Sequence, residues 1–325
     1  MASPDITLDK ISETIREFQG IKLKREISVV KDILGDQADT QMLHDDGVFF
    51  SEGDRFIVTA CDAILPMICK KMPRFAGRSA VVATVNDLYA MGATPSVIMN
   101  SIGAKTNEDL AEILVGMKDA AEIFGIKIHG GHLMPIGSPN SITVTAVGTS
   151  KKPILSTTLK DSDCLLMVFD TKGVTPDNYP LAWNSTFGRD PKEVRRNYEM
   201  LHRISDQGLL TAGKDISNAG LIGTTAILLE TSDKGAVIDI DKIIVPENIS
   251  PINWYRSFFS FGFIFGVSKE NEDVVIREFK NSGLSANTIG KVNNTHKIIL
   301  KTGEQTETLF NWGKDSILRR PCLKN

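Results

Sequence analysis

The chain has 325 residues, 42% of them hydrophobic and 24% charged, with a formal net charge of -3. That length accommodates two domains with full cores, and the balance is ordinary for a globular chain. A pI near 6.0, with no basic stripe interleaved with aromatics, excludes nucleic acid as an expected partner.

The opening Met-Ala-Ser-Pro-Asp5 lacks a positive region followed by an apolar one. No stretch approaches the ~18 uninterrupted apolar residues of a membrane span. The expected location is the cytoplasm, with no membrane partner. Cys61, Cys69, Cys164 and Cys322 are scattered, with no Cys-x-x-Cys pair and no His at ligand spacing, so they read as buried or idle thiols.

Leu8, Ile11, Ile15 and Phe18 fall on one face of a first helix, which Gly20 is expected to end. Lys22-Leu-Lys-Arg25 follows, a basic cluster that can meet phosphate but more commonly reads as a solvated face, and a short helix then runs through Val30, Ile33 and Leu34. His44-Asp45-Asp46 precedes two apolar runs separated by Ser51-Glu-Gly-Asp54, a hairpin pattern, with Asp62 at the end of the second run. Carboxylate oxygens are the hard ligands that magnesium prefers, but aspartates at strand ends also serve simply as turn formers.

Residues 66–73 read as a connector carrying Lys70 and Lys71, and Arg74 lies just beyond it. From Ala80 to Met91 the apolar spacing suits a buried helix, which Gly92 can stop in the left-handed conformation before Thr94-Pro95 turns into a strand. Asn86 and Asp87 lie inside that run. A buried carboxylate without a partner costs several kcal/mol, so Asp87 is expected to face a cation, a donor cluster or a ligand, or else to cap a backbone or pair with a buried Arg.

After the strand, Thr106-Asn-Glu-Asp109 reads as a capping box, and the apolar stripe Leu110, Ile113, Leu114, Met117, Ala121 and Phe124 ends at Gly125. Ile126 to Ile128 is a short strand. Gly130-Gly131 then allows close backbone approach to a ligand, or an ordinary turn, before His132. Residues 141–148 alternate as a strand. The order of strands and helices is an α/β layer pattern with helices on one face of a sheet. The expected domains are 1–150 and 151–325, joined at Ser150-Lys-Lys-Pro153.

In the second half, residues 163–170 read as a buried strand and 191–206 as a helix with a charged face. Thr211-Ala-Gly-Lys-Asp215-Ile-Ser217-Asn218-Ala-Gly220 reads as a polar turn opening a helix. Such a turn offers free N–H groups to an anion, although Ser217 or Asn218 can equally be a simple N-cap. A Ser232-Asp-Lys-Gly235 stop, a strand over 236–240, a strand over 258–268, a helix over 270–279 and a strand edge at Gly290 complete an α+β layer. No repeat is visible and no segment reads as disordered.

The run from Ser79 to Pro95, with its Asn-Asp-Leu-Tyr-Ala-Met-Gly-Ala core, resembles the helix signature of the aminoimidazole ribonucleotide (AIR) synthetase-related superfamily. The order Asp45-Asp46, Asp62, Asn86-Asp87 is similar to that superfamily's order. Asp-Ile-Ser-Asn-Ala-Gly-Leu221, with the following run to Pro246, is similar to its second-domain signature. The resemblance spans about Lys22 to Val292. It implies a two-domain α/β (α+β) fold in which two N-terminal halves join their sheets into a barrel, making a homodimer with ATP at the subunit junction.

The activity so implied is Mg-ATP-dependent phosphoryl transfer to a small-molecule acceptor, with thiamine-monophosphate kinase as the nearest characterised analogue. Asp45, Asp46, Asp62, Asp87 and Asp215 then hold magnesium. Asn86, Gly130, Gly131, His132, Ser217, Asn218 and Gly220 contact nucleotide or acceptor, and Asp87 and Asp215 are the catalytic acids. Three departures qualify the analogy. His44 stands where the family often has Gly, His132 where kinase-like members carry an acid, and Asn218 where thiamine-monophosphate kinases carry another. The His132 pattern resembles the methanogenesis-marker and nitrile-cluster branches. Selenide water dikinase chemistry, hydrogenase-maturation chemistry at the terminal Cys322 and a non-catalytic nucleotide-binding assembly factor stay open as alternatives. The phosphoryl acceptor and the number of metal ions are not legible.

Overall fold

The structure is a computed structural model in which residues 7–35, 45–177 and 179–318 are described. His44 and Cys322 lie outside the described residues. The chain divides into two compact units. Unit I is Asp46–Pro153 with Thr186–Gln207, and unit II comprises the described residues of Met1–Asp45, Ile154–Ser185 and Gly208–Asn325. The boundary expected at residue 150 is therefore crossed twice, once by the first helices and once by a helix of the second half.

The first helices are α1 (Leu8–Arg16), α2 (Gln19–Lys22) and α3 (Ile27–Leu34). Leu8, Ile11 and Ile15 of α1 are buried in the core of unit II, and the Arg16 guanidinium donates to the backbone oxygens of Thr308 and Leu309. An apolar stripe on a nine-residue helix needs a sheet to cover it, and this one takes its sheet from the far end of the sequence. Gly20 does not end α1. It lies within α2, where a Cβ would sit 1.9 Å from the Asn218 carbonyl oxygen, so its lack of a side chain serves close packing.

Unit I begins with the hairpin β1 (Val48–Glu52) and β2 (Arg55–Ala63). Next come α4 (Pro66–Lys71), α5 (Pro73–Ala90), β3 (Thr94–Gly103), α6 (Asn107–Phe124), β4 (Ile128–Leu133) and β5 (Ser141–Ser150). The strands form one sheet in the order β1-β2-β5-β3-β4, with β3 and β4 parallel and the other pairs antiparallel. Residues 66–71 are helical, not a connector, and α5 starts seven residues before the apolar run because Pro73 presets its first turn. Gly92 takes φ 72°, Thr106 Oγ1 accepts from Asp109 N, and Gly125 closes α6 in the left-handed conformation, all as the sequence predicts.

Ile142, Val144 and Ala146 of β5 are buried together with Ala60 and Ile98, both opposite Ala146, and Ile102, opposite Ile142, on the side that α5 covers. Two glycines set how closely α5 and α6 cross. A Cβ on Gly77 would lie 2.0 Å from the Ile113 carbonyl oxygen, and one on Gly116 would lie 2.0 Å from that of Arg74.

The remaining elements are β6 (Cys164–Phe169), β7 (Ala182–Trp183), α7 (Pro191–Asp206), β8 (Ala212–Asp215), α8 (Gly220–Thr231) and β9 (Gly235–Asp239). They continue with α9 (Pro251–Trp254), β10 (Phe258–Phe259), β11 (Gly262–Val267), α10 (Glu272–Asn281), β12 (Ser285–Asn293), β13 (Lys297–Thr302) and β14 (Gln305–Asn311). In unit II seven strands are ordered β14-β13-β9-β12-β6-β11-β8, and β10 pairs with β7. Every residue of β6 and β11 is buried, as suits central strands covered on both faces. Residues 258–268, read as one strand, are two, and the strand β8 occupies the start of the stretch read as a polar turn. The helix α8 ends at Thr231, at the stop expected over 232–235, where Asp233 takes φ 53° and Gly235 already opens β9.

Helix α7 packs in unit I. Tyr198, on its buried stripe, lies 4.7 Å from the Tyr89 ring and 5.0 Å from the Phe124 ring, centroid to centroid.

Candidate functional site

The acidic residues fall into distinct settings. Asp46 precedes β1 and Asp87 sits near the C-terminal end of α5. Both are half-buried, and carboxylate oxygens of the two come within 4.8 Å of one another. The bend before β1 and the helix thus bring together two acids that are 41 positions apart in the sequence. Asp87 is not sealed inside the core, because the carboxylate reaches the helix margin while its neighbours Asn86 and Leu88 are buried.

Asp45 and Asp62 are engaged with backbone and are not part of that close group. Asp45 Oδ2 accepts from the Ser156 N–H at 2.8 Å. Asp62 is half-buried on β2 opposite Val144 in register, and its Oδ1 accepts from the Ala63 N–H at 2.7 Å. Asn86 is buried, and its Oδ1 accepts from the Tyr198 hydroxyl at 2.7 Å. This bond ties α5 to α7. Its signal in the sequence is slight: Tyr198 falls on the apolar stripe of α7, and nothing in the spacing says which polar group it meets.

Gly130, Gly131 and His132 lie in the strand β4, not in a turn, and all three are exposed. The strand pairs with β3 across an irregularity between Ile98 and Met99. Asn100 Nδ2 donates to the Gly130 oxygen at 3.0 Å, and a Cβ on Gly131 would lie 2.1 Å from the Asn100 carbonyl oxygen. Gly131 therefore admits the neighbouring strand, while a Cβ on Gly130 would meet nothing within 4 Å.

In unit II, Asp215 ends β8 and is 3% exposed, next to the buried Lys214. Ser217 is half-buried and Asn218 exposed. Three of the amides expected to be free at the start of α8 are already bonded. The N–H groups of Gly220, Leu221 and Ile222 donate to the backbone oxygens of Ser217, Ser257 and Tyr255, at 2.8, 3.1 and 3.1 Å. Gly220, at φ 74°, packs directly on the Arg256 backbone, and that close approach brings the carbonyls near enough to use the amides that a helix start usually leaves open.

Cys69 and Cys164 are buried and Cys61 is exposed. Burial, together with the neighbouring Glu272 carboxylate, pushes the Cys164 thiol up to about 11, so it stays protonated and inert. Among the described residues no helix is long and apolar enough to cross a membrane.

Residues 43–150 match the family model for the AIR synthase related protein, N-terminal domain, and residues 165–303 match the one for its C-terminal domain. The chain belongs to the AIR synthase-related family. An uncharacterised protein of Methanocaldococcus jannaschii is 33% identical over 75% of this chain and 76% of its own length. A thiamine-monophosphate kinase of Archaeoglobus fulgidus is 29% identical over 43% of this chain and 46% of its own. Among solved structures, Thermotoga maritima PurL complexed with FGAR superposes with a TM-score of 0.78 at 14% identity, over 98% of this chain and 54% of that one. This chain therefore spans about half of PurL, and the likeness shows the fold alone. The same T. maritima protein has also been solved with ADP and with ATP. The mixed α/β, two-domain AIR synthase-like fold implied by the sequence is the fold found.

Proposed function

We propose that this member of the family binds Mg-ATP and transfers the γ-phosphoryl group to a small-molecule acceptor. The observation that carries the proposal is the pair of carboxylates, Asp46 and Asp87, held within 4.8 Å by a turn and a buried helix. Carboxylate oxygens on rigid elements suit a hard divalent cation that keeps some of its waters and shares the rest of its shell with phosphate. Magnesium bound there would supply charge neutralisation at the polyphosphate.

In such chemistry the protein mainly positions reactants, so acids without an accompanying nucleophile are in keeping with it. The Asn86–Tyr198 bond has a part in this positioning, because it fixes the turn of α5 that carries Asp87. The family resemblance assigns further metal contacts to Asp45 and Asp62, the acceptor side to Asp215, and nucleotide contacts to Gly130, Gly131 and His132. Thiamine-monophosphate kinase, a relative by sequence, makes thiamine monophosphate the first acceptor to try.

A homodimer is part of the proposal. The face of the five-stranded sheet turned away from α5 carries Val48, Phe50, Cys61 and Met99, all exposed, with Phe50 at 56%. An apolar sheet face of this kind supports closure against a second copy.

Calorimetric titration of the metal-free chain with ATP, with and without magnesium, on wild type and Asp87→Asn, tests the reading. Magnesium-dependent binding that is lost in the variant supports it. Binding that is unchanged in Asp87→Asn overturns it, and binding without turnover on any acceptor shifts the function to a nucleotide-responsive assembly factor.

A further inference from the structure

Arg78 lies on α5 in unit I among small and apolar residues, with Ala76, Gly77, Ala80 and Val81 all buried beside it, and is itself only 7% exposed. Its Nη2 donates to Thr186 Oγ1 at 3.2 Å, and the guanidinium carbon lies 4.0 Å from the centre of the Phe187 ring. A guanidinium has five N–H donors, and among the described residues no second acceptor and no carboxylate takes one of them. The acid whose charge acts on it, Asp119, is bonded to Arg74, one turn earlier on α5, at 3.2 and 2.7 Å.

This combination is costly if the residue serves packing alone. An apolar side chain fills such a place without a desolvation penalty, whereas a buried cation is ordinarily paired. The ring of Phe187 contributes a cation–π contact, worth about 0.5–2 kcal/mol in general, and leaves the N–H groups unused. Burial pulls the guanidinium down to about 10, still far above neutral pH, so the charge is retained. Neither Nε nor Nη1 is among the sealed polar atoms without a partner, so both keep a narrow opening to solvent. The cover is the exposed Phe187 ring, 52% accessible, followed by Gly188 at φ 70° with open space around it.

We propose that Arg78, with the Thr186 hydroxyl beside it and the Phe187 ring over it, is an oxyanion-binding subsite that takes the phosphate or carboxylate group of a small ligand. The planar fork of donors fits either group through two parallel bonds. The subsite is separate from the acidic pair. Asp87 follows Arg78 by nine positions, about 13.5 Å along the axis and roughly half a turn around it. The inference does not depend on nucleotide binding at the acids.

The test is an NMR titration of the full chain with inorganic phosphate, and in parallel with acetate, at constant ionic strength. It follows the arginine Nε–Hε signals, with that of Arg78 assigned by its loss in Arg78→Lys. A saturable shift of the Arg78 signal and of the backbone amides of Thr186 and Phe187, which lie against it, is expected, and in Arg78→Met the same amides should report binding about tenfold weaker or more. Thr186→Val, which keeps the charge, is expected to weaken binding several-fold. Phe187→Ala, which removes the cover and keeps the guanidinium, gives the same reading if Arg78→Met does not fold, because phosphate or acetate must still saturate the Arg78 signal there. Saturation by phosphate alone or acetate alone supports the proposal and names the ligand class. An Arg78 signal that neither anion moves, or that drifts without saturating, overturns it and leaves the residue as a strut for the 186–188 loop.

Discussion

Asp46 and Asp87 hold carboxylate oxygens within 4.8 Å of one another, one at a chain turn and one on a helix whose other residues are mostly buried. At that separation two negative charges repel by about 1 kcal/mol in water and by ~3 kcal/mol at the effective dielectric of a protein surface. A divalent cation between them converts that cost into attraction. Magnesium is therefore expected to raise the melting temperature of the wild type, and the gain approaches about 2.7 kcal/mol at a hundred times Kd. Asp46→Asn and Asp87→Asn are each expected to lose most of that response, read by thermal denaturation with and without the metal. An equal magnesium response in all three proteins would remove the pair as a metal site.

Crossing of α5 and α6 depends on Gly77 and Gly116, where an added Cβ would enter the carbonyl oxygen of the opposing helix at 2.0 Å. Backbone does not swing aside as a side chain does, so the helices must separate. Alanine at position 116 adds up to about 1 kcal/mol of helix propensity, yet overpacking of this kind costs about 1–3 kcal/mol or more. Gly116→Ala is expected to destabilise unit I by about 2 kcal/mol net. The measurement is urea denaturation, in which the midpoint should fall with the slope unchanged.

The bond from the Tyr198 hydroxyl to Asn86 Oδ1 is buried at both ends. Tyr198→Phe keeps the ring contacts with Tyr89 and Phe124 and removes one donor. Leaving a buried acceptor short of a bond costs about 1–3 kcal/mol. Because Asn86 and Asp87 are adjacent, the proposal expects a loss of magnesium-dependent ATP affinity along with the loss of stability. Urea denaturation and ATP titration of Tyr198→Phe read the two losses separately.

Local signals carried much of the fold. Thr106, Gly125 and Gly92 sit at the helix ends where capping chemistry puts them, and the alternation in 141–148 and the stripe of 191–206 were enough to place β5 and α7. Long-range pairing was not legible. Nothing in Leu8, Ile11 and Ile15 says that their cover is Leu309 and Phe310, and nothing in the Gly130-Gly131 pair distinguishes a turn from a strand pressed against Asn100. At the candidate site the acids were legible as residue types, while their grouping depends on which strand end meets which helix margin. The bonding of the amides at the start of α8 was not legible locally, because Ser257 and Tyr255, far along the chain, supply the carbonyls that take those of Leu221 and Ile222. Arg78 stands two residues before the run read for its apolar spacing, Ala80 to Met91, and nothing local marks its charge as buried.

Glu272 offers a pH test within unit II. At the first turn of α10 it is paired with Lys269, and its Oε1 accepts from the Thr288 hydroxyl at 2.5 Å. Burial alone would raise this carboxyl, but the bonds from Lys269, Thr288 and Cys164 more than offset it and hold the group below its usual value. A carboxyl whose folded pKa is depressed contributes stability that is fully present above the unfolded value, near 4.5, and is lost as pH falls through the folded one. Glu272→Gln is thus expected to be less stable than the wild type at neutral pH by about 1–2 kcal/mol. The two should converge as pH falls through the depressed folded value of this carboxyl, because protonation of the wild-type carboxyl removes the charge that Lys269 bonds. Urea denaturation of both proteins from pH 7 down to the acid limit decides the matter: a difference that stays constant across that range would mean that the side chain acts through shape and hydrogen bonding alone, with no contribution from its charge.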